Sequence, residues 1–136
     1  MEDYKIEFWN TIDYETPFTD AIIWDRHVAM GFSEYFTLIN LEDHSHNEIR
    51  LRGYFGYLYP YDSFLLVATQ FNLICINKQG LQVWETEMLG IDGVIVHDFD
   101  GGNIYGSGEN DPPGGWIDFI IDSRTGKRLG EEKYQS

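Results

Sequence analysis

The feature that most constrains this chain is a succession of short segments in which apolar residues alternate with polar ones or form brief runs, with Gly, Asn or Asp between segments. Segments of this kind, each about five residues long, predict β-strands joined by hairpins. Almost no stretch has the spacing of an amphipathic helix. The sequence therefore predicts an all-β fold of antiparallel hairpins and meanders. The predicted strands lie at residues 5–9, 21–24, 27–32, 35–41, 53–58, 64–68, 72–76, 82–85, 93–97, 103–107 and 116–121.

A weak internal repeat relates these segments at a spacing of 37 residues, since residues 36–40 align with residues 73–77. A third copy at residues 118–122 follows if the residues from Glu109 to Gly115 are an insertion. Each unit reads as strand, turn, strand, turn, strand. Periods near forty residues with several strands per unit are typical of propeller blades and related β-arrays. We expect one domain over residues 1–136, with units at approximately 20–53, 54–92 and 93–130.

The segment from Leu73 to Trp84, with Gly80 in its turn, resembles the strand, glycine turn, strand and tryptophan pattern of quinoprotein-type β-propeller repeats. In that family the tryptophan docks between neighbouring blades, so the resemblance implies a packing role for Trp84. The resemblance includes no residues that contact pyrroloquinoline quinone, and we expect no cofactor. Three units are fewer than the roughly four to eight blades that close a propeller. We therefore expect a partial propeller-like stack or an open twisted sheet assembly.

The single cysteine, Cys75, lies in an apolar run, which excludes an intrachain disulfide and favours a reducing compartment. Residues 1–4 include no basic segment followed by an apolar stretch, so no secretory signal is predicted. The apolar runs are also far shorter than a membrane-spanning helix requires. We expect a cytoplasmic protein.

The acidic residues are numerous and unevenly distributed. The net charge is −14, and between Gly53 and Ser123 ten Asp and Glu residues accompany one basic residue, Lys78. Phosphate groups repel an acidic surface, which disfavours direct binding to nucleic acid or to an anionic membrane. A basic protein partner is favoured instead, because opposite charges steer association.

The most distinctive segment runs from Gly106 to Trp116 and reads as a loop, because Gly and Pro dominate it and the repeat does not require its length. Two interpretations of Trp116 stay open: its ring anchors a partner, or it begins a strand and packs into the core. If the surface binds a partner, the expected contact residues are Asp92, Asp98, Asp100, Glu109, Asp111 and Trp116.

A second candidate surface is a row of alternating tyrosines, Tyr57, Tyr59 and Tyr61. Alternation along a strand directs all three side chains to one face. Such a row can stack against sugars or form one wall of the core with its hydroxyl groups at the rim. The core wall is the favoured interpretation.

Two polar motifs have the ligand types of metal sites. Residues 98–103 alternate oxygen ligands as calcium loops do, but the downstream acidic ligand is missing, and a glycine hairpin turn is the simpler interpretation. His44 and His46 share one face if extended, as zinc ligands would, but no distant Cys or His cluster completes a site. A solvated turn is favoured there, and we expect no metal.

Catalysis has little support in the sequence. No local signature pairs a nucleophile with a base, Cys75 lies among aliphatic residues that would silence its thiol, and His97 reads as a hydrogen-bonded structural residue. We expect that the chain is not an enzyme. In size and charge it is similar to small acidic bacterial immunity proteins. The sequence thus favours a protein-binding inhibitor of a basic, nuclease-type toxin, with a carbohydrate- or small-ligand-binding β-module as the alternative.

Overall fold

The computed structural model describes residues 19–111 and 115–130, and the strand predicted at residues 5–9 lies outside them. The described residues form eleven β-strands and no helix, which confirms the all-β prediction. None of them therefore provides a helix that could cross a membrane. The strands are β1 (Thr19–Trp24), β2 (His27–Phe32), β3 (Tyr35–Asn40), β4 (His46–Arg50), β5 (Phe55–Pro60), β6 (Phe64–Thr69), β7 (Leu73–Asn77), β8 (Gln82–Glu85), β9 (Val94–Asp100), β10 (Asn103–Asp111) and β11 (Gly115–Asp122).

The described strands form three antiparallel sheets, each built from strands that follow one another along the chain. Sheet A has the order β1-β2-β3-β4, sheet B the order β5-β6-β7-β8, and sheet C the order β11-β10-β9. The first strand of each sheet therefore lies at an edge. One strand was missed by sequence reasoning: β4 was expected as part of a polar turn. It is an exposed edge strand, so its polar residues show no apolar alternation.

Equivalent features recur from sheet to sheet. The starts of β2 and β6 are 37 residues apart, and so are the ends of β3 and β7. The third strand of each sheet ends in an Asn or Asp whose side-chain oxygen accepts a backbone N–H group two residues further on, as in an Asx turn. These residues are Asn40, Asn77 and Asp122, accepting from Glu42, Gln79 and Arg124 at 2.7, 3.0 and 2.9 Å.

Sheet B lies between the other two sheets. Along β6, Leu65 and Val67 pack into the core shared with sheet A, whereas Leu66 and Ala68 pack into the core shared with sheet C. All four side chains are fully buried. Burial on both faces explains why β6 reads as a continuous apolar run rather than as an alternating one.

Two buried tryptophans tie neighbouring sheets together. Trp24 of sheet A donates its indole N–H group to the carbonyl oxygen of Tyr61 at 2.9 Å. Trp84 of sheet B donates to the carbonyl oxygen of Ser123, in the turn after β11, at 2.8 Å. Buried indoles need such an acceptor. Trp84 is thus a buried packing residue at the contact between sheets B and C.

The loop predicted from Gly106 to Trp116 is wrong over most of its length. Residues 106–111 continue β10 and residues 115–116 begin β11, with Glu109 opposite Trp116, whereas residues 112–114 lie outside the described part. The two strand glycines, Gly106 and Gly108, mark close backbone approach rather than a turn. A Cβ atom at either position would overlap the carbonyl oxygen of a neighbouring strand or segment.

Candidate functional site

A groove of about 690 Å³ lies between the edge strands β5 and β9. Its aromatic lining comes from two sheets: Tyr54, Tyr57 and Tyr59 lie on or just before β5, and Trp116 lies on β11. The start of β9 also lines the groove. The lining residues are Tyr54, Phe55, Gly56, Tyr57, Tyr59, Thr69, Gln70, Asp92, Gly93, Val94, Ile95, Val96 and Trp116. The structure therefore brings together two surfaces that the sequence presented as separate candidates, the tyrosine row and Trp116.

The tyrosine row changes character along β5. The rings of Tyr57 and Tyr59 lie 5.0 Å apart between centroids, and Tyr57 is 55% exposed. Tyr59 is half-buried and hydrogen-bonds the backbone of Val96, and burial raises its pKa. Tyr61 packs against Phe99 at 5.4 Å, next to the core between sheets B and C. The row is thus surface at Tyr57 and core wall at Tyr61.

A β-bulge at Gly56 aims Tyr57 into the groove. The register of β5 on β6 shifts between Phe55, which is opposite Thr69, and Tyr57, which is opposite Ala68. Bulges re-aim side chains relative to regular alternation. Phe55 therefore packs into the core shared with sheet A, although Tyr57, two residues later, faces the groove on the opposite side.

The segment before β9 holds Asp92 beside Trp116. The backbone N–H group of Asp92 donates to the carbonyl oxygen of Glu109 at 3.2 Å, and that of Glu109 donates to Gly93 at 2.9 Å. Gly93 has a φ of 148°, and a Cβ atom there would lie 3.7 Å from the ring of Trp116. Asp92, Glu109 and Trp116, three of the predicted contact residues, are thus gathered at one end of sheet C.

The remaining three predicted contact residues do not all lie at this end of sheet C. Asp98 and Asp100 are exposed at the far end of β9, where Asp98 raises the pKa of Tyr61 as a secondary cause after burial. The backbone of Asp111 lies opposite Gly115 at the C-terminal end of β10. The side chain of Asp111 is outside the described part. The predicted six residues therefore do not form a single patch.

Four ion pairs are present among the described residues, and none involves Asp92, Asp98 or Asp100. They join Arg26 to Glu42, Arg50 to Glu34, Arg52 to Glu85 and Arg124 to Asp122, at 3.0 to 3.4 Å. All four arginine side chains are largely exposed. These four arginines pair with acids that do not line the groove, and the carboxylate of Asp92 is exposed and has no basic partner in the described residues.

The motifs considered for metals form turns. Gly101 and Gly102 have φ angles of 62° and 84°, as a hairpin turn between β9 and β10 requires. His44 has a φ of 64° in the turn before β4. Residues 19–111 and 115–130 contain no group of three or more His, Cys, Asp or Glu side chains that could hold a metal ion.

Cys75 is buried as expected. Its side chain lies in the core between sheets B and C, and burial raises the pKa of the thiol to about 12. A thiol of this kind is protonated at neutral pH and unreactive.

One polar chain across sheet C was missed by sequence reasoning. Ser107 Oγ donates to Asp118 Oδ1 at 2.7 Å, and His97 Nε2 lies 2.9 Å from Ser107 Oγ. Because the serine proton points to Asp118, the histidine donates to Ser107. A serine nucleophile needs the reverse, with the histidine accepting the serine proton and the acid orienting the histidine. Cross-strand register alone creates this contact, so no local motif announces it.

A second cavity, of about 550 Å³, adjoins the buried side chain of His27. The Nδ1 atom of His27 has no hydrogen-bond partner among the described residues. The cavity is lined by both acidic and basic side chains, so it favours neither an anionic nor a cationic ligand. Its lining residues are Asp25, Arg26, His27, Asn40, Glu42, Lys78 and Gln79.

No protein-family model matches the chain, and no curated protein matches it either. Its function must therefore be inferred from its own surface chemistry.

Proposed function

We propose that this chain is a cytoplasmic protein-binding inhibitor, an immunity protein that neutralises a basic, nuclease-type toxin through an acidic surface. The observation that carries the proposal is the unpaired state of Asp92, Asp98 and Asp100. All three are exposed, and the described residues place no Lys or Arg against them. Between Gln79 and Ser123 the sequence contains no Lys or Arg at all.

An uncompensated acidic surface has a physical cost and a physical use. Like charges repel within the folded chain and reduce its stability, and the same field attracts a basic surface over a distance of about 10 Å at moderate salt. Nuclease clefts are basic because they bind phosphate. An acidic protein that covers such a cleft excludes the substrate and associates rapidly by electrostatic steering. The role is binding, and the chain supplies no catalytic step.

The test uses the proteins encoded by the reading frames adjacent to this one. Each is expressed, its cleavage of RNA and DNA is measured, and this chain is added in increasing amounts. We expect stoichiometric inhibition of one of them, with an association rate that falls as salt rises. Asp92→Lys should slow association far more than Glu48→Lys, which changes the net charge equally at an exposed site on β4. Equal effects of the two variants, or no inhibited neighbour, would contradict the proposal.

The fold proposal that accompanies this role is a partial propeller. We infer that sheets A, B and C are successive propeller-like units, which the 37-residue spacing, the recurring Asx turns and the edge positions of β1, β5 and β9 all support. In such an arrangement the groove lies between the first strands of the second and third units.

The alternative is a carbohydrate- or small-ligand-binding β-module, and one observation favours it. Tyr57 and Trp116 present exposed rings at the same groove, and exposed aromatic rings stack against sugars. A glycan array probed with the chain, followed by titration of hits against Trp116→Ala, tests this function. Binding that is lost in Trp116→Ala would support it, and an array without hits would count against it.

A further inference from the structure

The groove between β5 and β9 offers the chemistry of a cation site. Asp92 is the one charged residue among its described lining residues, and Tyr57 and Trp116 present exposed rings beside it. Gln70 already donates its side-chain amide to the carbonyl oxygen of Ile91 at 3.3 Å, so its remaining oxygen is an acceptor. Aromatic faces attract cations electrostatically, and a carboxylate adds a charged acceptor.

The same chain already holds one guanidinium group in this way. The Arg50 guanidinium carbon lies 5.7 Å from the ring centroid of Tyr35, and its Nη2 atom lies 3.0 Å from Glu34 Oε1. An aromatic ring and a carboxylate thus flank Arg50 on β4. The groove presents the same two groups in Trp116 and Asp92, and no basic residue of the described chain lines it.

We propose that the groove binds an arginine side chain of the protein partner. This proposal rests on the proposed function and names the contact that anchors the partner. The guanidinium plane stacks on an aromatic ring of the groove while its N–H groups donate to Asp92, a combination that a lysine ammonium reproduces less well. A groove of about 690 Å³ falls in the range that accommodates whole small ligands, so the arginine enters with part of its flanking backbone.

The test is a titration of the full chain with a short capped peptide, acetyl-Gly-Arg-Gly-amide, followed by nuclear magnetic resonance. The reporter is the indole N–H signal of Trp116, which is assigned by its disappearance in Trp116→Phe. The matched probe is the same peptide with citrulline, which keeps the shape of arginine without its charge. We expect the arginine peptide to shift the Trp116 signal in a saturable way, and the citrulline peptide to bind at least about fivefold more weakly.

The variants separate the groove from the general charge of the chain. Asp92→Asn should weaken binding of the arginine peptide by about threefold to fivefold, because it removes the charged acceptor, and Tyr57→Leu by a similar factor, because it removes one of the two exposed rings. Glu48→Gln removes one exposed acid from β4 and should leave affinity within about 1.5-fold. Tyr57 and Asp92 are exposed, so both variants should fold, which unchanged thermal unfolding would verify.

Each remaining outcome has a defined meaning. Equal binding of the arginine and citrulline peptides, or equal losses in Asp92→Asn and Glu48→Gln, overturns the proposal. A Trp116 shift produced by cellobiose or maltose but not by the arginine peptide also overturns it and assigns the groove to sugars. If the arginine peptide fails while an adjacent toxin is still inhibited, the anchor is wrong and the proposed function stands. If the peptide binds and no toxin is inhibited, the anchor stands and the proposed function fails.

Discussion

Replacing Gly126 with alanine tests whether the packing of Trp84 against the turn after β11 stabilises the contact between sheets B and C. Gly126 has a φ of 76°, and an added Cβ atom would lie 2.6 Å from the Trp84 ring. The left-handed backbone costs an alanine about 1–2 kcal/mol, and forcing a methyl group against a packed ring costs about 1–3 kcal/mol more. We expect Gly126→Ala to lower the free energy of unfolding by about 2–5 kcal/mol.

The matched control is Gly101→Ala. Gly101 has a φ of 62° in the turn between β9 and β10, and no atom lies within 4 Å of an added Cβ atom there. Because the added methyl group touches nothing, this variant should lose only the backbone cost, about 1–2 kcal/mol. The difference between the two variants, about 1–3 kcal/mol, isolates the contact between the turn and Trp84.

Urea unfolding followed by circular dichroism and by tryptophan fluorescence measures both variants. With a slope of about 2 kcal/mol per molar urea, the midpoint of Gly126→Ala should fall about 0.5–1.5 M below that of Gly101→Ala. The near-ultraviolet signal of the folded state should change in Gly126→Ala, because the Trp84 ring must move. Equal midpoints and unchanged near-ultraviolet spectra would refute the assignment of Trp84 as the tie between the two sheets.

Three further predictions concern the described core and the charge of the chain. Because burial raises the pKa of Cys75 from 9.0 to about 12, the folded thiol should resist iodoacetamide at pH 8, and the free energy of unfolding should fall as pH rises from about 9 toward 12. Cys75→Ala should remove that part of the alkaline loss; a fully reactive folded thiol would contradict the burial. Asn72→Leu should cost about 2–4 kcal/mol in thermal unfolding, because the buried amide accepts from Thr69 at 2.6 Å and donates to Glu85 at 2.8 Å; a cost below about 1 kcal/mol would show that the network is dispensable. Raising salt from about 0.05 to 0.5 M should increase the melting temperature by a few degrees, because it screens the repulsion of a net charge of −14; a lower melting temperature would mean that the ion pairs outweigh the repulsion.

The class of fold could be predicted because strand, turn and spacing signals agree along the chain. Apolar alternation identified most strands, and the 37-residue spacing matched the strands of sheets A and B. The strand β4 was missed because four of its five residues are polar and exposed, and Ile49 alone gives no apolar alternation. The glycines of β10 were misread because glycine permits close backbone packing as readily as it permits a turn.

The groove could not be predicted, because three non-local events create it. The bulge at Gly56 turns Tyr57 toward sheet C, the segment before β9 is fixed by hydrogen bonds to Glu109, and the register of β10 on β11 places Trp116 opposite that residue. The sequence could name Tyr57, Asp92 and Trp116 as candidates from their side-chain chemistry. Their proximity depends on which strands form sheet edges, and sheet order is not encoded in any local pattern.

The groove lies between two edge strands. The features that keep such strands from pairing with other chains also bear on the proposed binding role. An edge strand exposes unpaired backbone groups that invite pairing with another chain, and proteins prevent this with bulges and charged side chains. Here β5 contains the bulge at Gly56, and the charged residue Asp92 lies just before the start of β9. A second copy of this acidic chain is repelled from these edges by its own charge, whereas a basic protein is attracted to them. Under the proposed function, the acidic residue that disfavours self-association at this edge also favours a basic partner.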